Sequence, residues 1–162
     1  MRVLGVDPGL GTTGYGVIES VGDRPVLIEA GEIKSKPSLP LEQRLLELFK
    51  GITDVSDEFS PDVYVVEELY AHYKHPRTAV IMGHARGVFF LAAGKTGIPV
   101  VSYSSTRIKK SLTGSGHASK EQVARMVERV LNCGELRTGD DVTDAIAAAL
   151  CHLNMVLHGG CE

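Results

Sequence analysis

An α/β fold, with a mixed five-stranded sheet and helices on both faces, is predicted for this chain by three observations. Val3-Leu4-Gly5-Val6 and Val63-Tyr64-Val65-Val66 are short, nearly continuous apolar runs without alternation, as expected of strands buried on both faces. Between and after them lie long segments with helical periodicity, the pattern that crossover connections between parallel strands require. Ahead of these helices, two further strand-like stretches follow the first run with only tight turns between them, which makes an antiparallel meander.

The elements follow in order. The first strand, Val3 to Val6, ends at Asp7, and Pro8-Gly9 stops it, opening the turn Leu10-Gly11-Thr12-Thr13-Gly14. Thr13 to Val21 alternates loosely and reads as a strand, in which Gly14 and Gly16 allow close backbone approach. After the turn Gly22-Asp23-Arg24-Pro25, Val26 to Ile33 reads as the third strand. Leu41 to Phe59 is a helix with the stripe Leu41, Leu45, Leu48, Phe49, Ile52 and Val55. Asp62 to Leu69 is the buried central strand, ending in Glu67-Glu68, and Tyr70 to Pro76 is a loop. Thr78 to Lys95 is a helix with small Gly83, Ala85 and Gly87 among its apolar residues, so another backbone can approach it. Ile98 to Val101 is a short strand, Ser104 to Leu112 a basic helix, and Thr113 to His117 a break. Ser119-Lys120-Glu121-Gln122 fits a capping box that opens a helix with Val123, Met126, Val127 and Val130 inward. After the loop Asn132 to Gly139, the last helix runs from Asp141 to Leu157. No repeat or linker divides residues 1–157, which are read as one domain, with 158–162 as a short tail.

Composition is that of an ordinary globular protein, 43% hydrophobic and 23% charged. The three cysteines, Cys133, Cys151 and Cys161, lack metal-ligand spacing and suit free thiols in a reducing compartment. No apolar run reaches the roughly 18 residues that span a bilayer, and the first strand leaves no room for a leader, so a cytoplasmic location is expected. The net charge of -3 conceals an asymmetry. No acid occurs between Glu68 and Glu121, whereas Lys74, Arg77, Arg86, Lys95, Arg107, Lys109, Lys110 and Lys120 all do. So long a span without an acid suggests a basic surface for a polyanion, set against an acidic region.

The acids form a constellation of their own. Asp141 and Asp144, at i and i+3, share one face of a helix that is otherwise Ala-rich and apolar. Asp140 is best read as capping the helix start. Two strand ends and that helix start can bring Asp7, Asp141 and Asp144 together with Glu67 or Glu68; a strand buried on both faces does not say which glutamate. Clustered carboxylates repel one another unless a cation neutralises them, and an all-oxygen donor set selects Mg²⁺ or Mn²⁺. Two such ions about 4 Å apart can activate a water and stabilise a leaving oxygen in phosphoryl displacement. Acids for metals beside a basic surface for phosphates read as a nuclease.

The motifs Val3-Leu4-Gly5-Val6-Asp7-Pro8-Gly9, Val65-Val66-Glu67-Glu68-Leu69-Tyr70, Gly83-His84-Ala85-Arg86-Gly87 and Asp141-Val142-Thr143-Asp144-Ala145-Ile146-Ala147 resemble, in order and over nearly the whole chain, the RuvC family of bacterial Holliday-junction resolvases. The resemblance implies a ribonuclease-H-like fold, a homodimer, Mg²⁺-dependent symmetric nicking of four-way DNA junctions in recombination and repair, and a branch-migration partner of the RuvA and RuvB type. It places the family's four metal-binding acids on Asp7, Glu67, Asp141 and Asp144, choosing Glu67 over Glu68; some relatives carry His at the position of Asp141. It matches Tyr70 to an aromatic that stacks near the crossover bases, and Lys109 and Lys120 to basic residues near the scissile phosphate, with Lys120 counted among the catalytic set. Arg107 and Lys110 are read as phosphate contacts or solvated charges. The dimer contact falls on the Thr78 to Lys95 helix.

Two other readings compete. Asp7-Pro8-Gly9 with Thr12-Thr13-Gly14 also resembles the phosphate-binding turn of actin-like and sugar-kinase phosphotransferases, although those place nucleotide between two such folds. A non-catalytic junction-binding module would need no acid cluster beneath its basic surface.

Overall fold

The computed structural model describes residues 1–22, 24–69, 76–134, 136, 138–157 and 159. Five strands, β1 (Arg2–Asp7), β2 (Thr12–Val21), β3 (Arg24–Lys34), β4 (Val63–Glu67) and β5 (Val100–Tyr103), form one sheet in the order β3-β2-β1-β4-β5. The first three pair antiparallel, and β4 and β5 add in parallel beside β1, so the expected mixed sheet is present. Helices α1 (Leu41–Phe59) and α2 (Pro76–Thr96) serve as crossovers, and α3 (Ser105–Thr113), α4 (Lys120–Leu131) and α5 (Asp140–Leu157) follow β5.

The two faces of the sheet carry separate cores. Leu4, Val6, Val17, Tyr64 and Val66 pack with Leu48, Ile52, Val88 and Phe89 of α1 and α2. Val3, Ile18, Val63 and Val65 pack with Ile108, Leu112, Val123, Val127, Val142, Ile146 and Leu150 of α3, α4 and α5. Strand alternation sends successive side chains to opposite faces. A register irregularity between Val17 and Ile18 is absorbed in β2 while both remain buried.

Several element ends differ from the sequence reading, three of them with a local cause. β4 stops at Glu67, because the neighbouring β5 ends at Tyr103, whose carbonyl takes the Glu68 amide at 3.0 Å. β5 begins at Val100, after Gly97 in the left-handed region and Pro99, which has no amide to give a ladder. Asp140 is the first residue of α5, and its carboxylate bonds Lys120 at 3.3 Å rather than a backbone amide. The capping box at Ser119 is present, with Ser119 Oγ accepting from the Gln122 amide and Gln122 Oε1 accepting from the Ser119 amide.

Candidate metal centre and nucleic-acid interface

Asp7 ends β1 and Glu67 ends its parallel neighbour β4, at the same edge of the sheet. Val63 and Val65 face α5, so Glu67, two residues further, continues that face, whereas Glu68 belongs to the other. Asp7 follows Val3 and Gly5 in the same way. Helix α5 then has to come close enough for its first turns to meet both strands.

Glycines in β1 and β2 allow that approach. A Cβ on Gly5 would stand 2.0 Å from the Ala145 carbonyl oxygen, and one on Gly14 would stand 2.0 Å from that of Asp141. A Cβ on Gly16 would meet Ile146 at 2.6 Å. The helix backbone therefore lies directly on the strands, and the run Ala145, Ala147, Ala148 and Ala149 keeps it there, all but fully buried. This contact carries Asp141 and Asp144 to the strand ends.

The electrostatics record the convergence. Asp7 is pushed up to about 8, first by burial and then by the charges of Glu67, Asp144 and Asp141, against a smaller pull from Lys120. Glu67 is raised by burial and by Asp144, while the Ser105 hydroxyl, Lys109 and Lys120 counter it. Asp141 is raised by burial and, against the pull of Lys120, by Asp144, Glu32 and Asp140. Lys120 Nζ bonds Asp144 Oδ2 at 3.2 Å. Burial would lower the Lys120 pKa, but Asp144 and Asp140 outweigh it and raise it.

Beside the acids opens a cleft of about 790 Å³ lined by Asp7, Glu67, Ser105, Thr106, Lys109 and His117, among others. A smaller recess joins Glu67, Ser105, Lys109, Lys120 and Asp144. Lys109 and Lys120 thus stand on the rim of the carboxylates. Arg107 does not. Its guanidinium lies 5.7 Å from the Tyr103 ring centroid and contacts Met155 Sδ at 3.7 Å, towards the far end of α5. Lys110 is exposed and lines neither opening. Tyr70, the proposed stacking aromatic, lies outside the described residues, as do all of the tail but Gly159. Ser105 is not among the predicted site residues, although it stands four residues before Lys109 on one helical face.

The turn after Asp7 is closed on itself. Thr13 Oγ1 donates to the Gly9 carbonyl at 2.7 Å and accepts from the Gly9 amide at 3.2 Å. Ser35 bonds the Leu10 carbonyl through its hydroxyl and that of Gly11 through its amide. The Gly9 amide is thus engaged within the turn and not free for a phosphate.

Comparisons with known proteins identify the family. Residues 3–152 match the family model of crossover junction endodeoxyribonuclease RuvC. The chain belongs to the RuvC family. A curated RuvC from Rhodopirellula baltica is 48% identical over 92% of this chain and 84% of its own length. The RuvC of Thermotoga maritima is 43% identical over 94% of this chain and 90% of its own. Thermus thermophilus RuvC, solved in complex with a Holliday junction substrate, superposes with a TM-score of 0.92 at 32% identity, covering 98% and 96% of the two chains. The sheet order and helix placement are those of the RuvC type of ribonuclease-H-like fold.

The donor set suits a hard divalent cation: four carboxylates, no sulfur, and a repulsion that a cation would relieve. Among the described residues no three His, Cys, Asp or Glu side chains already close on one point as a cation cage. Mg²⁺ does not demand such a cage, since it keeps several waters and binds through one or two carboxylates and substrate phosphate. On charge and ligand chemistry, the RuvC residues present fit the ion.

Proposed function

We propose that this chain resolves four-way DNA junctions by paired, symmetric, metal-dependent hydrolysis of phosphodiester bonds, in recombination and repair. The observation that carries the reading is the buried Asp7, raised to about 8 first by burial and then by the charges of Glu67, Asp144 and Asp141, under a rim of Lys109 and Lys120. Family membership supplies the substrate class. One compact domain over residues 1–157, acting from the cytoplasm, suits the reading, and no described helix is long and apolar enough to cross a membrane.

In this reading the four carboxylates would hold two Mg²⁺ ions in each site, with Mn²⁺ able to substitute. Ions so bound supply an activated water and charge stabilisation at the leaving oxygen. Lys109 draws a phosphate oxygen towards the cleft, and Lys120 moves between its bonds to Asp144 and Asp140 and the phosphate. The Ser105 hydroxyl opposes the burial and the Asp144 charge that raise Glu67. Arg107 and Lys110, away from the acids, serve at most as outer phosphate contacts, and Tyr70, which the resemblance matches to a stacking aromatic, would stack on an unpaired base.

A second protomer is part of the proposal. Helix α2 presents Val80, Phe90 and Leu91 to solvent, with open space above Gly83, Gly87 and Gly94. Such a face supports a helix-to-helix dimer contact, and a partner of the RuvA and RuvB type would deliver the junction to it. Incubation with synthetic four-way junctions and matching linear duplexes, with and without Mg²⁺, tests the function. Nicks at symmetric positions, confined to junctions and lost in chelator, are expected; equal cutting of linear duplex, or none in Mg²⁺ or Mn²⁺, overturns it.

A further inference from the structure

Glu67 sits beyond the last paired residues of β1 and β4, Val6 and Val66, next to Pro8, which has no amide to offer its carbonyl. The donor comes from another layer. Arg86 of α2 reaches the sheet edge, its Nε donating to the Glu67 carbonyl at 3.2 Å and its Nη2 to Ser102 Oγ at 2.7 Å. Its guanidinium lies 4.4 Å from the ring centroid of Phe90, one helical turn on. Burial lowers the Arg86 pKa, with Glu68 opposing that shift. Among the described residues its hydrogen bonds go only to these two neutral oxygens.

A half-buried guanidinium without a bonded carboxylate is a costly way to hold a surface helix. It is well suited to fixing two acceptors at a set spacing, which an ammonium cannot do. The acceptors belong to β4 just where Glu67 leaves the ladder with β1, and to β5 three residues before Ser105. We infer that Arg86 is a positioning residue: it locks the Glu67 peptide against β5, and so sets the Glu67 carboxylate relative to Ser105 and Lys109. The inference rests on the proposed nuclease function. It goes beyond that function by giving the site a third supporting layer, reached from the helix on the opposite face of the sheet.

The test compares wild type with Arg86→Lys, Arg86→Ala and Ser102→Ala. Three quantities are measured: single-turnover nicking of a saturating four-way junction in Mg²⁺, junction affinity in Ca²⁺ at two salt concentrations, and Tm. Arg86→Lys and Arg86→Ala should both slow nicking at least about tenfold, since small misplacements of reacting groups cost that much or more. Ser102→Ala should slow it less. Junction affinity and its salt slope should stay within about twofold of wild type, and the Mg²⁺ concentration for half-maximal rate should rise.

Wild-type rates per folded molecule in both Arg86 variants, whatever their Tm, would overturn the inference. Full rescue by Arg86→Lys would also overturn it, showing that charge alone matters, and so would a weakened affinity with a shallower salt slope, which marks a DNA contact. If wild type itself fails to nick junctions, it is the functional reading that falls, an outcome separate from all of these.

Discussion

With its carboxyl pushed up to about 8, Asp7 is only partly ionised at neutral pH, because burial and three neighbouring acids oppose its charge. Asp7→Asn removes that conflict and keeps the shape. In chelating buffer at pH 7.5 it should raise Tm by a few degrees, a gain of roughly 1–2 kcal/mol, as substitutions at strained active sites do. In Mg²⁺ it should lower nicking by at least about a hundredfold, more than loss of a residue that merely supports a ligand; Glu67→Gln and Asp144→Asn should do the same. Near-normal cleavage by Asp7→Asn would remove it from the site. The lysines make a different residue-scale prediction. Lys109→Ala and Lys120→Ala should each flatten the dependence of log affinity on log salt by about 0.9 if one phosphate contact is lost. Arg107→Ala, whose side chain lies against Tyr103 and Met155, should leave that slope unchanged. Binding titrations at several salt concentrations decide it.

Helix α5 is the element on which the site depends, since its position fixes two of the four acids. Gly14→Ala places a methyl 2.0 Å from the Asp141 carbonyl oxygen, so the start of the helix must lift. A loss of about 1–3 kcal/mol in urea unfolding is expected, with nicking falling much further than stability because Asp141 and Asp144 are displaced together. Gly134→Ala, which meets nothing within 4 Å, is the control. The other half of α5 carries a pH dependence. His152 is buried against the Tyr103 hydroxyl, 2.9 Å from its Nδ1, and burial lowers its pKa below the usual 6.5. The unfolded chain therefore takes up that proton first. The stability that neutral His152 allows is complete above about pH 6.5 and is lost as the pH falls below it. Melts between pH 7.5 and 5 should show a shallower decline for His152→Gln than for wild type.

At the scale of the whole molecule, one protomer has one acid cluster, whereas a four-way junction has two strands to cut. A two-fold dimer offers two identical clusters to a two-fold substrate, and each cluster is assembled from one chain. A heterodimer of wild-type and Asp7→Asn subunits should therefore nick one strand and leave the junction unresolved. A junction extruded in a supercoiled plasmid reads this out, because a single nick gives open circles and paired nicks give linear product. Linear product from a verified heterodimer would mean that one cluster serves both strands.

The central strands and the acids near their ends were legible locally. Uninterrupted apolar runs at Val3–Val6 and Val63–Val66 mark buried strands whatever surrounds them, and Pro8-Gly9 stops the first at Asp7 without help from the rest of the chain. The i, i+3 spacing of Asp141 and Asp144 likewise puts both on one helical face. Local pattern could not choose Glu67 over Glu68, since a strand apolar on both sides carries no phase; that phase is set by Val63 and Val65 packing under α5. Nor could it separate Lys109 from Arg107. Two residues apart on a short helix, they point about 200° apart, and only the packing of Ile108 and Leu112 onto the sheet turns Lys109 to the acids and Arg107 towards Met155. The link from Arg86 through the sheet edge to the Glu67 carbonyl had no sequence signal. It joins α2 to β4 and β5, and its bonds exist only once the chain has folded those elements together.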